Sequence, residues 1–83
     1  MEKSPSGFEQ RELVIDQLIS NMAEQQGMPV DDIVSDIILF APHEGNMLSN
    51  PEYLEMVAEM IGITLDEMNT YAVKKAKDFG RML

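Results

Sequence analysis

The chain has 83 residues, no cysteine and a formal net charge of −9 at pH 7. A chain of this length makes one domain, and the lack of cysteine excludes disulfides, thiolate nucleophiles and zinc sites with cysteine ligands. Fourteen of the fifteen acidic residues lie in residues 1–73 beside two bases, and the last ten residues carry the other four bases. An acidic body of this kind repels the phosphates of nucleic acid and attracts basic proteins.

We expect neither a membrane span nor a signal peptide. No apolar run approaches the roughly 18 residues that a membrane helix needs. The first seven residues lack the basic start and the apolar core of a secretory signal. We therefore expect a cytoplasmic protein without membrane contacts, with a flexible lead-in at 1–6 and a single helical domain at 7–83.

Two segments of twelve residues, 22–33 and 57–68, follow the same pattern. Alanine, glutamate, glycine and aspartate are identical at matching positions of the two copies. In each copy a helix ends at a glycine, Gly27 or Gly62, and a new helix begins with acids in its first turn. The repeat predicts two helix–Gly–helix hairpins in tandem.

The two predicted hairpins span about 7–41 and 51–80, and a loop at 42–50 joins them. Their apolar residues recur at the 3.6-residue spacing of helices that bury one side. The sequence therefore predicts an all-α fold with four main helices in a small bundle. The predicted core side chains are Phe8, Val14, Ile15, Leu18, Ile19, Met22, Val30, Ile33, Val34, Ile37, Ile38, Ala41, Leu54, Val57, Ala58, Ile61, Leu65, Met68, Ala72, Ala76 and Phe79.

Capping signals mark the starts of the third and fourth helices. Asn50, followed by a proline, is a typical N-cap. Thr64 has Glu67 three residues further on, which is the spacing of a capping box. In the connecting loop, Met47 and Leu48 are expected to pack as a short turn over the core.

Groups suited to catalysis or metal binding are scarce in the sequence. His43 is the single histidine, and no nucleophile-elbow pattern accompanies any serine. Asp31, Asp32 and Asp36 lack the spacing of a calcium-binding loop and fit the surface of a helix. We therefore expect a protein that is not an enzyme, with no catalytic residue, no cofactor and no metal site.

Residues 58–68 resemble the helix–turn–helix of repressor-type DNA-binding domains, a family that reads DNA from the helix after the turn. The resemblance implies that polar and basic residues of the fourth helix contact DNA, namely Asn69, Thr70, Lys74, Lys75 and Lys77. That helix begins with Asp66 and Glu67, and the matching helix of the first copy carries three acids and no base. A DNA-binding transcription regulator is therefore the alternative hypothesis.

Methionine is unusually frequent, with 8 residues in 83. On the third helix Tyr53, Met56 and Met60 widen the apolar arc to roughly 200°, beyond the ~100° stripe of a helix that faces one core. One interpretation is that the core wraps this helix on two sides and that methionine fills irregular gaps. The other is a surface for a partner protein or for a second copy of the chain, ringed by carboxylates.

For function, the sequence favours a small acidic interaction module without enzymatic activity. It would act as a regulator, adaptor or inhibitor of a protein with a basic surface, such as a nucleic-acid-binding protein. The predicted apolar anchors for this partner are Leu39, Tyr53, Met56 and Met60. The acids predicted to steer the partner are Asp32, Asp36, Glu52, Glu55 and Glu59. A homodimer through the same strip is the other occupant that the pattern allows.

Overall fold

The computed structural model describes residues 7–79, with side chains from Gln10 onward. Over this range the structure holds four helices and no strand: α1 (Gly7–Gln26), α2 (Val30–Leu39), α3 (Pro51–Ile61) and α4 (Leu65–Asp78). The predicted all-α fold with two tandem hairpins is confirmed. The predicted lead-in at 1–6, the end of the predicted second hairpin at 80 and the side chain of Phe8, a predicted core residue, lie outside what the structure describes. None of the described helices combines the length and apolarity needed to cross a membrane.

The two copies of the repeat form the same turn. Gly27 and Gly62 both have positive φ angles, of 70° and 84°. In each copy the N–H that follows the glycine donates to the carbonyl oxygen five residues earlier, at 2.9 Å in the first and 3.0 Å in the second. Because glycine has no Cβ, it adopts this left-handed conformation without a steric penalty and closes the end of the preceding helix.

Both predicted N-caps are confirmed. Asn50 Oδ1 accepts a hydrogen bond from the Tyr53 N–H at 3.2 Å, and Thr64 Oγ1 accepts one from the Glu67 N–H at 3.1 Å. The second hydrogen bond of the predicted capping box, from the Thr64 N–H to the Glu67 carboxylate, is not formed. The Glu67 carboxylate accepts from the Arg11 side chain instead.

Each helix packs closely against two others around one shared core. Helices α1 and α4 both pack against α2 and α3, whereas α1 with α4 and α2 with α3 lie less close together. The two diagonal pairs of the bundle, α1 with α4 and α2 with α3, are therefore loosely packed. The buried core side chains are Ile15, Ile19, Met22, Ala23, Ile33, Ile37, Ile38, Ala41, Leu54, Val57, Ala58, Met68, Tyr71, Ala72 and Ala76.

Two individual core predictions are wrong, and two buried residues, Ala23 and Tyr71, are absent from the predicted core. Val14 is 44% exposed because it lies at the edge of the α1 stripe, beyond the side that α2 and α3 cover. Phe79 is 63% exposed because it follows the last residue of α4 as the C-cap. Tyr71, absent from the predicted core, is fully buried, with its hydroxyl directed toward Asp16 of α1.

The connecting loop is held by one amide side chain. Asn46 Nδ2 donates to the carbonyl oxygens of Leu39 and Ala41, at 3.0 and 2.6 Å, and its Oδ1 accepts from the Leu48 N–H at 3.1 Å. The bond to Leu39 satisfies a carbonyl group that the end of α2 leaves unpaired, and the bond to Ala41 holds the chain that follows. Met47 and Leu48 are exposed, so the prediction that they pack over the core is wrong.

Candidate functional site

A groove opens between α2 and α3, one of the two loosely packed pairs, beside the end of α1. Its volume is about 150 Å³. Met28, Met56 and Met60 line it and stay 42%, 49% and 48% exposed. We call this feature the methionine groove; its lining residues are Met22, Gln26, Met28, Ile33, Asp36, Tyr53, Met56, Val57 and Met60.

Tyr53 forms one wall of the methionine groove. Its ring packs in a tilted arrangement on Phe40, the residue after α2, with 5.1 Å between the ring centroids. Burial raises the pKa of Tyr53 above its usual value, and the negative charge of Asp36 raises this pKa further. The phenol is neutral at physiological pH, as tyrosine is at its usual pKa, and it can act as a hydrogen-bond donor.

Asp36 occupies an electrostatically unfavourable position in α2. It lies in the last turn of α2, where the helix dipole is negative, and it follows Asp32 by four residues. A carboxylate at such an end costs about 0.3–1 kcal/mol, and a like-charged i,i+4 pair costs a few tenths more. No ion pair with Asp36 forms among the described residues. The structure therefore carries a locally unfavourable carboxylate in an apolar groove.

The three predicted glutamates of α3 form an acidic strip beside the groove. Glu52, Glu55 and Glu59 are all exposed, and their spacing places them on the arc of α3 next to the Tyr53, Met56 and Met60 side chains. Ion pairs with these glutamates are likewise absent from the described part of the chain. The groove is thus flanked by acids from α2 on one side and from α3 on the other.

The structure brings most of the predicted site together, but not all of it. Tyr53, Met56, Met60 and Asp36 line one groove, and Asp32 lies exposed on α2 one turn before Asp36. Leu39 is half-buried and lies outside this groove. It lines a different cavity, of about 300 Å³, whose other lining residues are Ser35, Asp36, Ile38 and Phe79.

Sequence reasoning misses the contribution of α1 and of the first turn to the groove. Met22, a predicted core residue, is buried, but its side chain also forms part of the groove wall. Met28 and Gln26 flank Gly27, and the sequence predicts no role for either. The repeat itself holds a signal, because Met28 matches Ile63, a residue that packs against the core.

The other loosely packed pair, α1 with α4, is closed by charges. The Arg11 guanidinium binds the Glu67 carboxylate with two hydrogen bonds, of 2.9 and 3.1 Å. Glu12 receives both Lys74 and Lys75, whose Nζ atoms lie 3.1 and 3.0 Å from its two oxygens. We call this feature the ion-pair seam; its residues are Arg11, Glu12, Asp16, Glu67, Tyr71, Lys74 and Lys75.

The ion-pair seam perturbs the ionisation of its members. Burial raises the pKa of Glu12, but hydrogen bonds from Lys75 and Lys74 outweigh burial and hold the pKa below its ordinary value. The hydrogen bonds from Arg11 lower the pKa of Glu67. Burial raises the pKa of the Tyr71 phenol, and the bond that it donates to Asp16 adds to this rise. These groups therefore stabilise one another within the fold.

The lysines assigned to DNA by the helix–turn–helix resemblance are partly engaged in the seam. Lys74 and Lys75 bind acids of α1, and Lys74 also reaches Asp78 at 3.0 Å. Lys77 is exposed and lines a shallow, open depression of about 580 Å³ on the outer side of α4. The other residues of that depression are Pro42, Asn69, Thr70, Val73 and Lys74.

Neither the metal-binding residue types nor similarity to known proteins indicates a function. Among the described residues, no three histidine, aspartate or glutamate side chains are grouped so as to hold a metal ion. The Nδ1 atom of His43 lies 3.2 Å from the Glu44 carbonyl oxygen, in the connecting loop. No protein-family model matches the chain, and no curated protein or solved structure is significantly similar to it. The methionine groove is therefore the feature from which a function can be inferred.

Proposed function

We propose that the protein is a small acidic interaction module, without enzymatic activity, that binds a basic surface of another protein through the methionine groove. The observation that carries this proposal is Asp36. Its carboxylate opposes the dipole of α2, repels Asp32 and lies in an apolar groove without a cation from the described residues. Residues that break local rules in this way are expected at functional sites, where an outside cation would compensate.

The apolar lining suits the same role. Methionine side chains are flexible and polarisable, and surfaces rich in them adapt to partners of different shape. Partly exposed apolar residues that are ringed by charges are typical of interaction sites. In this proposal Tyr53, Met56 and Met60 supply the buried contacts, and Asp36 pairs with a lysine or arginine of the partner.

The exposed acids contribute mainly to the rate of association. Glu52, Glu55 and Glu59 lie beside the groove, and such rim charges steer a basic partner toward the site. Salt screens this long-range attraction. Binding should therefore weaken as ionic strength rises, and the protein would act as a regulator, an adaptor or an inhibitor of its partner.

A charge-reversal experiment with a matched control tests this proposal. One variant changes Glu52, Glu55 and Glu59 to lysine, and the control changes Glu24, Glu44 and Asp66 to lysine, three exposed residues outside the groove lining. Both variants alter the net charge equally. Tagged proteins are used to capture partners from a lysate of the source cells at low and moderate salt, and mass spectrometry identifies what is retained.

The proposal predicts a stoichiometric basic partner that the wild type and the control retain at low salt and that the groove-side variant loses. Equal loss from both variants would mean that net charge alone is responsible. Undiminished retention by the groove-side variant would exclude this face as the binding surface.

DNA binding through α4 is the second proposal, and the depression beside Lys77 is the observation in its favour. Lys74 and Lys75 would have to leave Glu12 in order to reach phosphates, which counts against it. Lys77→Glu is the clean test because Lys77 is exposed on the outer side of α4. A duplex complex at low salt that this change abolishes would support DNA binding, and the absence of any such complex would end it.

A further inference from the structure

The methionine groove continues into a second cavity between α1 and α3. This neighbouring cavity has a volume of about 230 Å³. It shares Met22 and Met60 with the methionine groove, which places these two side chains as the ridge between the two depressions. Leu18 and Ile61 add apolar lining at the far end. The two cavities adjoin at this ridge; we call the pair the channel and each cavity a compartment.

Two adjoining compartments, one largely apolar and one lined by both apolar side chains and amides, fit a helix better than an extended peptide. Side chains three or four residues apart on a helix lie about 5–6 Å from each other on one face, so that two of them can enter neighbouring depressions. An extended peptide usually binds by pairing with the edge of a sheet, and the described residues form only helices. A groove between helices is instead the usual receptor for an amphipathic helix.

The two ends of the channel differ in charge. Among the described residues that line the two cavities, Asp36 alone is charged, and it lies in the compartment walled by Tyr53. The compartment beside Leu18 has two neutral amides at its edge, Asn21 and Gln25. A ligand with a cation at one end of its apolar face would therefore be oriented by the channel.

On the basis of the proposed function, we infer that the segment of the partner that occupies this channel is a basic amphipathic helix. Two apolar side chains at i and i+3 or i+4 enter the two compartments, on either side of the Met22–Met60 ridge. A lysine or arginine lies next to the anchor in the Tyr53 compartment and pairs with Asp36. The opposite end of the helix carries no required charge.

Selection from a displayed library of random 16-residue peptides tests this inference even while the partner is unidentified. The wild type alone serves as bait, and Met60→Glu, which places a charge in both compartments, is used only in the binding measurements that follow. Met47→Glu is the matched control, since Met47 is 96% exposed in the connecting loop. Asp36→Asn is a second, milder variant that keeps the shape of the channel.

The selected peptides are expected to share two apolar residues at helical spacing, with lysine or arginine enriched near one of them. They should bind Met47→Glu as tightly as the wild type and bind Met60→Glu at least tenfold more weakly. Asp36→Asn should retain the apolar preference and lose the basic one. With ¹³C-methyl-labelled methionine, a bound peptide should shift the signals of Met22, Met28, Met56 and Met60 and leave Met47 unchanged.

Three results would overturn the inference. The first is enrichment of peptides with alternating, extended patterns or without a basic preference. The second is binding that Met60→Glu and Asp36→Asn both leave intact. The third is a wild-type dimer in sedimentation that Met60→Glu converts to a monomer, because the channel would then be filled by a second copy of the chain.

The proposed function and the helical occupant can fail separately. If the lysate experiment yields a basic partner that depends on the α3 glutamates but the library yields no helical pattern, the proposed function stands and the helical occupant is wrong. If the library yields apolar helices that bind equally well without any basic residue, the basic partner is wrong as well.

Discussion

The two loosely packed helix pairs of this bundle are completed in opposite ways. Between α1 and α4, long charged side chains bridge the gap, and Glu12, Asp16 and Glu67 all have cationic or hydroxyl partners within the chain. Between α2 and α3 the gap stays open, lined by methionines and by Asp36. Charged side chains of the chain itself therefore fill the gap between α1 and α4, whereas the acids beside the gap between α2 and α3 remain available to solvent or to a partner.

Acidic residues have two different roles in this molecule, and composition alone does not distinguish them. Within the ion-pair seam, partners in the fold lower the pKa values of Glu12 and Glu67, and these two acids therefore contribute to stability. The acids around the methionine groove have no such partners in the described residues. Their number adds to the net charge of −9 without strengthening the bundle.

The largest expected contrast compares two methionines. Met68→Ala should lower the free energy of unfolding by about 2–5 kcal/mol because Met68 is fully buried and the change leaves a cavity. Met56→Ala should cost roughly 0.5 kcal/mol or less, as surface positions generally do. Urea denaturation of both variants measures this. Similar losses would show that the groove methionines belong to the core, as the alternative interpretation of the sequence holds.

A smaller contrast compares two lysines of α4. Lys75→Met should lower the free energy of unfolding by about 1–2 kcal/mol, because Glu12 is largely buried and would lose a partner at 3.0 Å. Lys77→Met, at an exposed position, should change it by roughly 0.5 kcal/mol or less. Thermal unfolding followed by circular dichroism checks both. A loss at Lys77 equal to that at Lys75 would argue against a structural role for the seam.

The smallest expected effect is a dependence of stability on pH that arises from the seam. Because the pKa values of Glu12 and Glu67 are lowered in the folded state, their contribution is complete above the ordinary value of 4.5 and is lost as the pH falls below it. Arg11→Met removes the partner of Glu67, so the loss of stability on acidification should become shallower. Unfolding curves between about pH 6 and pH 3 test this, and an unchanged slope would contradict it.

Much of the fold was predictable because it is encoded locally. The positive φ at Gly27 and Gly62 and the caps at Asn50 and Thr64 depend on residues within a few positions of each other. The bond from Tyr71 to Asp16 joins residues 55 positions apart, and helical periodicity does not state which helix a given arc will face. The ion-pair seam could not be predicted for the same reason, because its partners lie on different helices far apart in the sequence.

The candidate site was predictable to a similar degree. The wide apolar arc of α3 pointed to Tyr53, Met56 and Met60, and the acidic pattern of α2 pointed to Asp36; the structure places these four residues in one groove. Each of these signals lies within one helix. The contribution of Met28 and the exclusion of Leu39 depend on how α1, α2 and α3 meet, and so they required the structure.

The free energies of unfolding of Glu12→Gln and Asp36→Asn, measured by urea denaturation at neutral pH, test the division between the two faces most directly. Both changes replace one carboxylate by an amide of nearly the same shape. We predict opposite signs: Glu12→Gln destabilises the bundle by about 1 kcal/mol or more because it weakens bonds to two lysines. Asp36→Asn should stabilise it by a few tenths of a kcal/mol because it relieves the helix dipole and Asp32. Destabilisation by both changes to a similar extent would contradict this division.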